Sequence, residues 1–268
     1  MSEATDYDYG AYQALKLRRE AGVMTVTISN PGKKNAVSPR MLDELSNVWD
    51  DLSRDPAVKV VVLTGDGGDF CSGADLISLK SGELLGRPAE RRGVRPPVLS
   101  ILDCDKPVLA KVRGVAYGIG VNMALACDMV FAAEGARLCD SHVKAGMVAG
   151  DGGVLLWPLL VGMHRAKEYL MTGEPVGAEL AERIGLVNRC LPDTELDGHV
   201  QAVAERLAAL PPLAVNYTKK ALNVALKQMT AAAYEASSAY EHYTLKTEDF
   251  AEALAAFAEK RPGVYRGR

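Results

Sequence analysis

The 268-residue chain reads as an α/β protein on three observations. Strand-like and helix-like segments alternate over its first 160 or so residues. One strand, VKVVVLTG at 58–65, is a near-continuous apolar run of the kind buried on both faces of a parallel sheet. Helical segments are repeatedly entered through glycine, as in GVAYGIGVNMALACD and GDGGVLLWPLLVG. Taken in order, residues 15–28 alternate as strands do, most clearly in VMTVTI, and stop at the turn sequence SNPGKKN. Ser38 is a good N-cap with Pro39 at the first helical position, and Met41, Leu42, Leu45, Val48, Trp49 and Leu52 follow at helical spacing until Asp55-Pro56 ends the run. After the 58–65 strand, the stretch 82–97 is rich in charge, glycine and proline with little apolar periodicity, which predicts a mobile loop. KPVLAKV is then a strand, 114–128 a buried helix, MVFAA and ARLCDS short strands, and 150–162 another glycine-led helix. Beyond Gly162 nearly everything is helical, and the Ala-rich 230–260 stretch carries Tyr234, Tyr240, Tyr243, Phe250, Leu254 and Phe257 as apolar anchors. A boundary near Ala204 divides a core of 1–203 from a helical region of 204–268.

Composition narrows the function. A net charge of −3 without any dense Lys/Arg run argues against nucleic-acid binding. No apolar stretch approaches the ~18 residues that span a bilayer, and the polar start MSEATDYDYG lacks the regions of a signal peptide, so a cytoplasmic protein with no membrane partner is expected. Five scattered cysteines with no C-x-x-C pair predict reduced, packing thiols. No clustered carboxylates or H-x-x-x-H pattern predicts a metal.

Chemistry is expected at two glycine-rich strand-to-helix junctions, Cys71-Ser72-Gly73-Ala74-Asp75-Leu76 and 114–120, GVAYGIG. At such junctions unpaired backbone N–H groups and small residues let a ligand approach the chain, and two converging N–H groups would form an oxyanion hole. Each glycine also has a plainer reading, a tight turn or close helix packing. GYGIG lacks the third glycine and distant acid of a dinucleotide fingerprint, and no G-K-[ST] of a P-loop is present.

The succession FCSGADL, KPVLAKVRGVAYGIGVNMALACDMVFAAEGARL, GMVAGDGG and EYLMTGEPVGAELAERIGLVN resembles the crotonase, or enoyl-CoA hydratase/isomerase, family. NPGKKNAVS near the start and FAEKRPGVYRGR at the end extend the resemblance. It implies an α/β spiral of ββα repeats, a helical C-terminal region used in trimer contacts, a homotrimer or hexamer, and an acyl-CoA substrate with no other cofactor. It also implies that the N–H groups of Ala74 and Ile119 form the oxyanion hole; family members often have glycine at the second position, but the N–H survives the change. Lys33, Lys34, Asn35 and Ala36, with Asp75 and Leu76, would line the path of CoA, and Lys260 would reach its nucleotide end.

The two glutamates with which hydratases of this family work are replaced here by Asn122 and His142. His142 titrates near neutrality and can serve as acid or base, or can be a merely packed side chain. Asp151, nine residues on, either caps the following helix or faces the thioester cavity. Asn122 can orient water or thioester, or be a satisfied buried amide. His142 with G-D-G resembles the crotonase-fold β-diketone hydrolases, in which a C-terminal glutamate also reaches the site; Glu241 is the candidate here, against the plainer reading of a solvated helical residue. Three functions stand: hydratase/isomerase chemistry on an acyl-CoA, hydrolysis of a dicarbonyl or thioester through His142 and Asp151, or acyl-CoA binding without catalysis.

Overall fold

A computed structural model describes residues 7–84 and 96–268. Most of the loop expected over 82–97 therefore lies outside the described residues. The strands β1 (Leu15–Glu20), β2 (Val23–Ile28), β3 (Val60–Gly65), β4 (Val108–Val112), β6 (Met129–Ala133) and β9 (Arg189–Leu191) form one six-stranded sheet in the order β1-β2-β3-β4-β6-β9. Only the β1–β2 pair is antiparallel. A second sheet of β5 (Val115–Tyr117), β7 (Arg137–Cys139) and β8 (Val176–Gly177) stands beside it, continued by single bridges Val37 to Ala74 and Cys71 to Ala116. Successive turns of chain thus lay one strand in each sheet and then a helix, a spiral of ββα units.

The helices are α1 (Pro39–Arg54), α2 (Leu76–Lys80), α3 (Pro97–Asp103), α4 (Ile119–Ala126), α5 (Gly153–Val161), α6 (Met163–Thr172), α7 (Ala178–Arg183), α8 (Asp193–Ala208), α9 (Pro212–Thr244) and α10 (Glu248–Glu259). Helix α1 begins as its sequence predicts, with the Ser38 hydroxyl accepting the Met41 N–H at 3.3 Å, and buries Leu45, Val48, Trp49 and Leu52 completely. Strand β3 is buried on both faces because α1 covers one side and α8 the other, where Val60 and Val62 meet Leu196, Val200 and Val203.

Three features depart from the expected elements. VAY at 115–117 is a strand rather than the start of a helix, because Phe70 and Cys71 donate backbone hydrogen bonds to Val115. Helix α9 runs uninterrupted through Thr230 for 33 residues, and the break falls at Leu245, after which Thr247 caps α10. Of the six expected C-terminal anchors, Phe250 and Leu254 are buried and Tyr234 half-buried, while Tyr240, Tyr243 and Phe257 point to solvent at 64%, 71% and 71% exposure. Helix α8 carries the chain across the 203/204 division with Val203 and Ala204 both buried on the sheet. All five cysteines are free thiols, and burial pushes the Cys71 thiol up to about 12. No helix among the described residues is long and apolar enough to cross a membrane.

Candidate active site

The two glycine junctions meet. Gly73 (φ 100°) and Gly118 (φ 54°) adopt conformations that side chains disfavour. A β-carbon on Gly118 would lie 3.8 Å from the Gly73 Cα and 3.8 Å from His142 Cε1. Gly120 is pressed against Cys71, whose carbonyl oxygen would be 2.6 Å from a β-carbon there. Ala74 follows the first turn and Ile119 opens α4 after the second, both half-buried. Among the described residues neither backbone N–H donates a hydrogen bond within the protein. Two unpaired donors therefore stand on adjoining turns, beside an imidazole.

The imidazole is the centre of a carboxylate cluster. His142 begins a single 3₁₀ turn after β7, is buried, and places Nδ1 2.6 Å from Asp140 Oδ1 and Nε2 3.2 Å from Asp151 Oδ2. Asn122, wholly buried on α4, donates through Nδ2 to Asp140 Oδ2 at 2.9 Å and to Asp151 Oδ1 at 2.7 Å. Its Oδ1 has no hydrogen-bond partner. Glu241, from α9, brings Oε1 to 4.0 Å from His142 Nε2. The glycines of GDGG make this approach possible: a β-carbon at 150 would be 2.7 Å from Glu241 Oε2, and one at 153 would be 2.2 Å from Asp140 Oδ2. Asp151 does not cap α5, which starts from Gly152 without a side-chain cap.

Burial alone would lower the His142 pKa, yet the carboxylates of Asp151 and Asp140 outweigh it and hold the imidazole well above its ordinary range. Burial likewise opposes ionisation of Asp140, but His142 and Asn122 reverse it and keep that carboxyl below its usual value. Glu241 goes the other way: burial first, then the Asp151 carboxylate, push it up to about 8 against the pull of His142. The two aspartates thus favour the cationic form of His142, and the crowding of carboxyl groups favours the neutral form of Glu241. Asp140, His142 and Asp151 also lie close enough to be considered as metal ligands. Each aspartate faces a different ring nitrogen, an arrangement that a doubly protonated imidazole satisfies without an ion.

The structure thus brings Asn122, His142, Asp151 and Glu241 together and sets them beside Ala74 and Ile119. Asp140 was not anticipated: β7 ends at Cys139 and His142 opens a 3₁₀ turn, so the two side chains meet through the turn between them, a conformation that no strand or helix period announces. The expected CoA-path residues are partly tied to one another. Lys33 Nζ pairs with Asp75 Oδ2 at 2.6 Å while Asp75 caps α2, and Lys34 lies 3.7 Å from Asp69. Ala36 is buried and Leu76 opens α2, half-buried. Lys260 ends α10 in the left-handed conformation with its side chain exposed.

The fold is thus a spiral of ββα turns whose two glycine junctions meet beside a cluster of acid–base side chains. Residues 18–268 match the enoyl-CoA hydratase/isomerase family, and the chain belongs to it. It is 34% identical to a probable enoyl-CoA hydratase of Rhodobacter capsulatus over 258 residues, covering 96% of this chain and all of that one. It is equally 34% identical to the carnitinyl-CoA dehydratase of Escherichia coli K12 over 261 residues, covering 96% and 99%. Among solved structures, a carnitinyl-CoA hydratase from Mycobacterium avium superposes with a TM-score of 0.86 at 34% identity, over 96% of this chain and 100% of that one.

Proposed function

We propose that the protein adds water to, or removes it from, an acyl-CoA thioester through an enolate held by the N–H groups of Ala74 and Ile119. The observation that carries this reading is the pair of unpaired N–H donors on touching turns, with His142 Cε1 within 3.8 Å of the β-carbon position of Gly118. The thioester oxygen accepts both N–H bonds and gains charge as the enolate forms. Asp151 takes a proton from water, whose oxygen adds at Cβ; the His142 imidazolium delivers its Nε2 proton to Cα. The 3.2 Å contact between His142 Nε2 and Asp151 then returns the proton from aspartate to imidazole and resets the site. Asn122 acts as a positioning residue, its two donated bonds holding the Asp140 and Asp151 carboxylates in place. Lys33, Lys34, Ala36, Asp75, Leu76 and Lys260 lie along the CoA portion, and no cofactor besides substrate CoA takes part. The chain works in the cytoplasm as a homotrimer or hexamer.

The test is a panel of 2-enoyl-CoA and 3-oxoacyl-CoA esters analysed by mass spectrometry beside His142→Ala and Asp151→Ala. An intact thioester gaining one water, with turnover lowered at least about 100-fold in His142→Ala, is the expected result. Unchanged turnover in that variant removes His142 from the mechanism. The approach of Glu241 to 4.0 Å from His142 favours a second reading, hydrolysis of a 1,3-dicarbonyl substrate, because the resemblance to the diketone hydrolases requires a C-terminal glutamate at the site. Products bearing a new carboxylate would establish it. Tight acyl-CoA binding without conversion of any ester would leave the non-catalytic reading.

A further inference from the structure

We propose that Asp140 is a positioning residue that fixes His142 as a doubly protonated proton donor, so that the site starts its cycle with His142 as acid and Asp151 as base. The proposal rests on the hydration reading for its direction of proton flow, and on geometry for the residue itself. The Asp140 side chain is wholly buried and entirely committed to the cluster. Oδ1 faces His142 Nδ1 at 2.6 Å and also accepts the His142 backbone N–H at 3.3 Å, while Oδ2 accepts from Asn122 at 2.9 Å. With Nδ1–H pinned, the ring cannot rotate away, and Nε2 is held toward Asp151 at 3.2 Å. A carboxylate on each ring nitrogen calls for a proton on each; a neutral imidazole would leave one buried aspartate facing a lone pair.

The remaining groups around the ring do not supply this constraint. Glu241 stands at 4.0 Å, and Tyr234 of α9 lies toward Asp151 and Glu241. From α10, packed on the 3₁₀ turn, Asp249 is occupied by the Arg266 and Gly267 N–H groups at 2.7 Å each. Lys144 of the same turn is paired with Glu174 at 2.9 Å. Gly153 is the complement of the arrangement, since any side chain there would strike Asp140 Oδ2 at 2.2 Å. Asp140 acts through His142 and touches no reacting atom.

The decisive experiment is ¹⁵N-histidine NMR of the full chain from pH 5 to 9, with Asp140→Asn as the comparison. Asparagine preserves the size and one acceptor but removes the charge. In the unaltered protein both His142 nitrogens stay protonated through pH 7; in Asp140→Asn the transition to neutral imidazole moves down by at least one pH unit, with the circular dichroism spectrum unchanged. In the hydration assay the same variant should lose at least tenfold in kcat at pH 8 with KM little altered, and regain part of it at pH 6. A singly protonated His142 at pH 7 in the unaltered protein overturns the proposal without recourse to any variant, as does a superimposable titration in Asp140→Asn. Absence of turnover on every acyl-CoA would count against the hydration reading alone, because the NMR titration needs no substrate.

Discussion

Glu241 couples the chemistry of the site to the stability of the fold. Its carboxyl is raised from 4.5 to about 8 because burial and the Asp151 carboxylate both resist a second negative charge beside the first. A folded-state pKa above the unfolded one contributes stability that is complete below about 4.5 and is lost as pH climbs through about 8. The loss amounts to roughly 3–5 kcal/mol over that window for a largely buried group. Glu241→Gln keeps the shape and stays neutral at every pH, so its thermal midpoint is expected to equal that of the unaltered protein near pH 5 and exceed it at pH 8. A midpoint difference that does not grow between these values would show that the residue carries an ordinary surface carboxyl. The same substitution should remove an alkaline limb near pH 8 from kcat/KM if Glu241 takes part as an acid, and leave the limb in place if it only shapes the cavity.

At the scale of elements, the site depends on two packings that hold separate segments together. The first is the contact of the glycine turns, where a methyl group at Gly120 would meet the Cys71 oxygen at 2.6 Å, Cβ at 2.8 Å and Sγ at 2.9 Å. Gly120→Ala must spread the Ala74 and Ile119 donors; it should cost about 1–3 kcal/mol of stability and, measured as turnover, at least tenfold in kcat. Unaltered kcat with lowered stability would mean the turns pack the core without presenting an oxyanion site. The second is the anchor of α9 through Lys219, whose buried ammonium reaches Asp128 at 2.8 Å and the Lys106 carbonyl at 2.8 Å. Burial already raises the Asp128 carboxyl against the pull of Lys219. Lys219→Ala, which strands that carboxyl, should lower stability by about 3–5 kcal/mol in urea unfolding and loosen the helix that carries Glu241; a loss under about 1 kcal/mol would show α9 to be held by other contacts. These packings explain what the sequence disclosed. The Ser38-Pro39 cap and the apolar 58–65 strand are local signals and became the expected elements, whereas the glycine-led 114–128 stretch split into β5 and α4 because Val115 pairs with Phe70 and Cys71. Glu241 reaches His142 from 99 residues away through the lie of α9, and Asp140 reaches it through the turn from β7 into the 3₁₀ helix, neither of which a local period encodes. Strands as short as β8 and β9 owe their existence to neighbours already in the sheet, so their own two or three residues gave no pattern to read.

On the scale of the whole molecule, α9 and the segment after it carry large apolar side chains that the described residues leave uncovered. The buried residues of α9 are Asn216, Lys219, Thr230 and Ser237, whereas Leu213, Leu222, Val224, Met229, Tyr240 and Tyr243 lie 56–71% exposed. Although Leu226 and Tyr234 pack against the core, the fully buried residues of α9 are polar while these large apolar ones face water, and such surface is stabilised by burial at roughly 25 cal/mol per Å². Further along the chain, Phe257, Val264 and Tyr265 are exposed as well, at 71%, 66% and 54%. A repeating contact between identical chains closes into a ring when the rotation allows, which fits the proposed trimer. Light scattering on the purified 28.7 kDa chain should therefore give three or six times that mass. Leu222→Asp together with Met229→Asp, both on exposed positions where a single folded chain loses little, should shift the mass toward one copy while circular dichroism stays unchanged. If the unaltered protein weighs a single chain at micromolar concentration, the exposed helix serves some other partner and the proposed assembly fails. If the double variant weighs the same as the unaltered trimer, the ring closes through a surface other than α9, and the exposed apolar residues of that helix require a different cause.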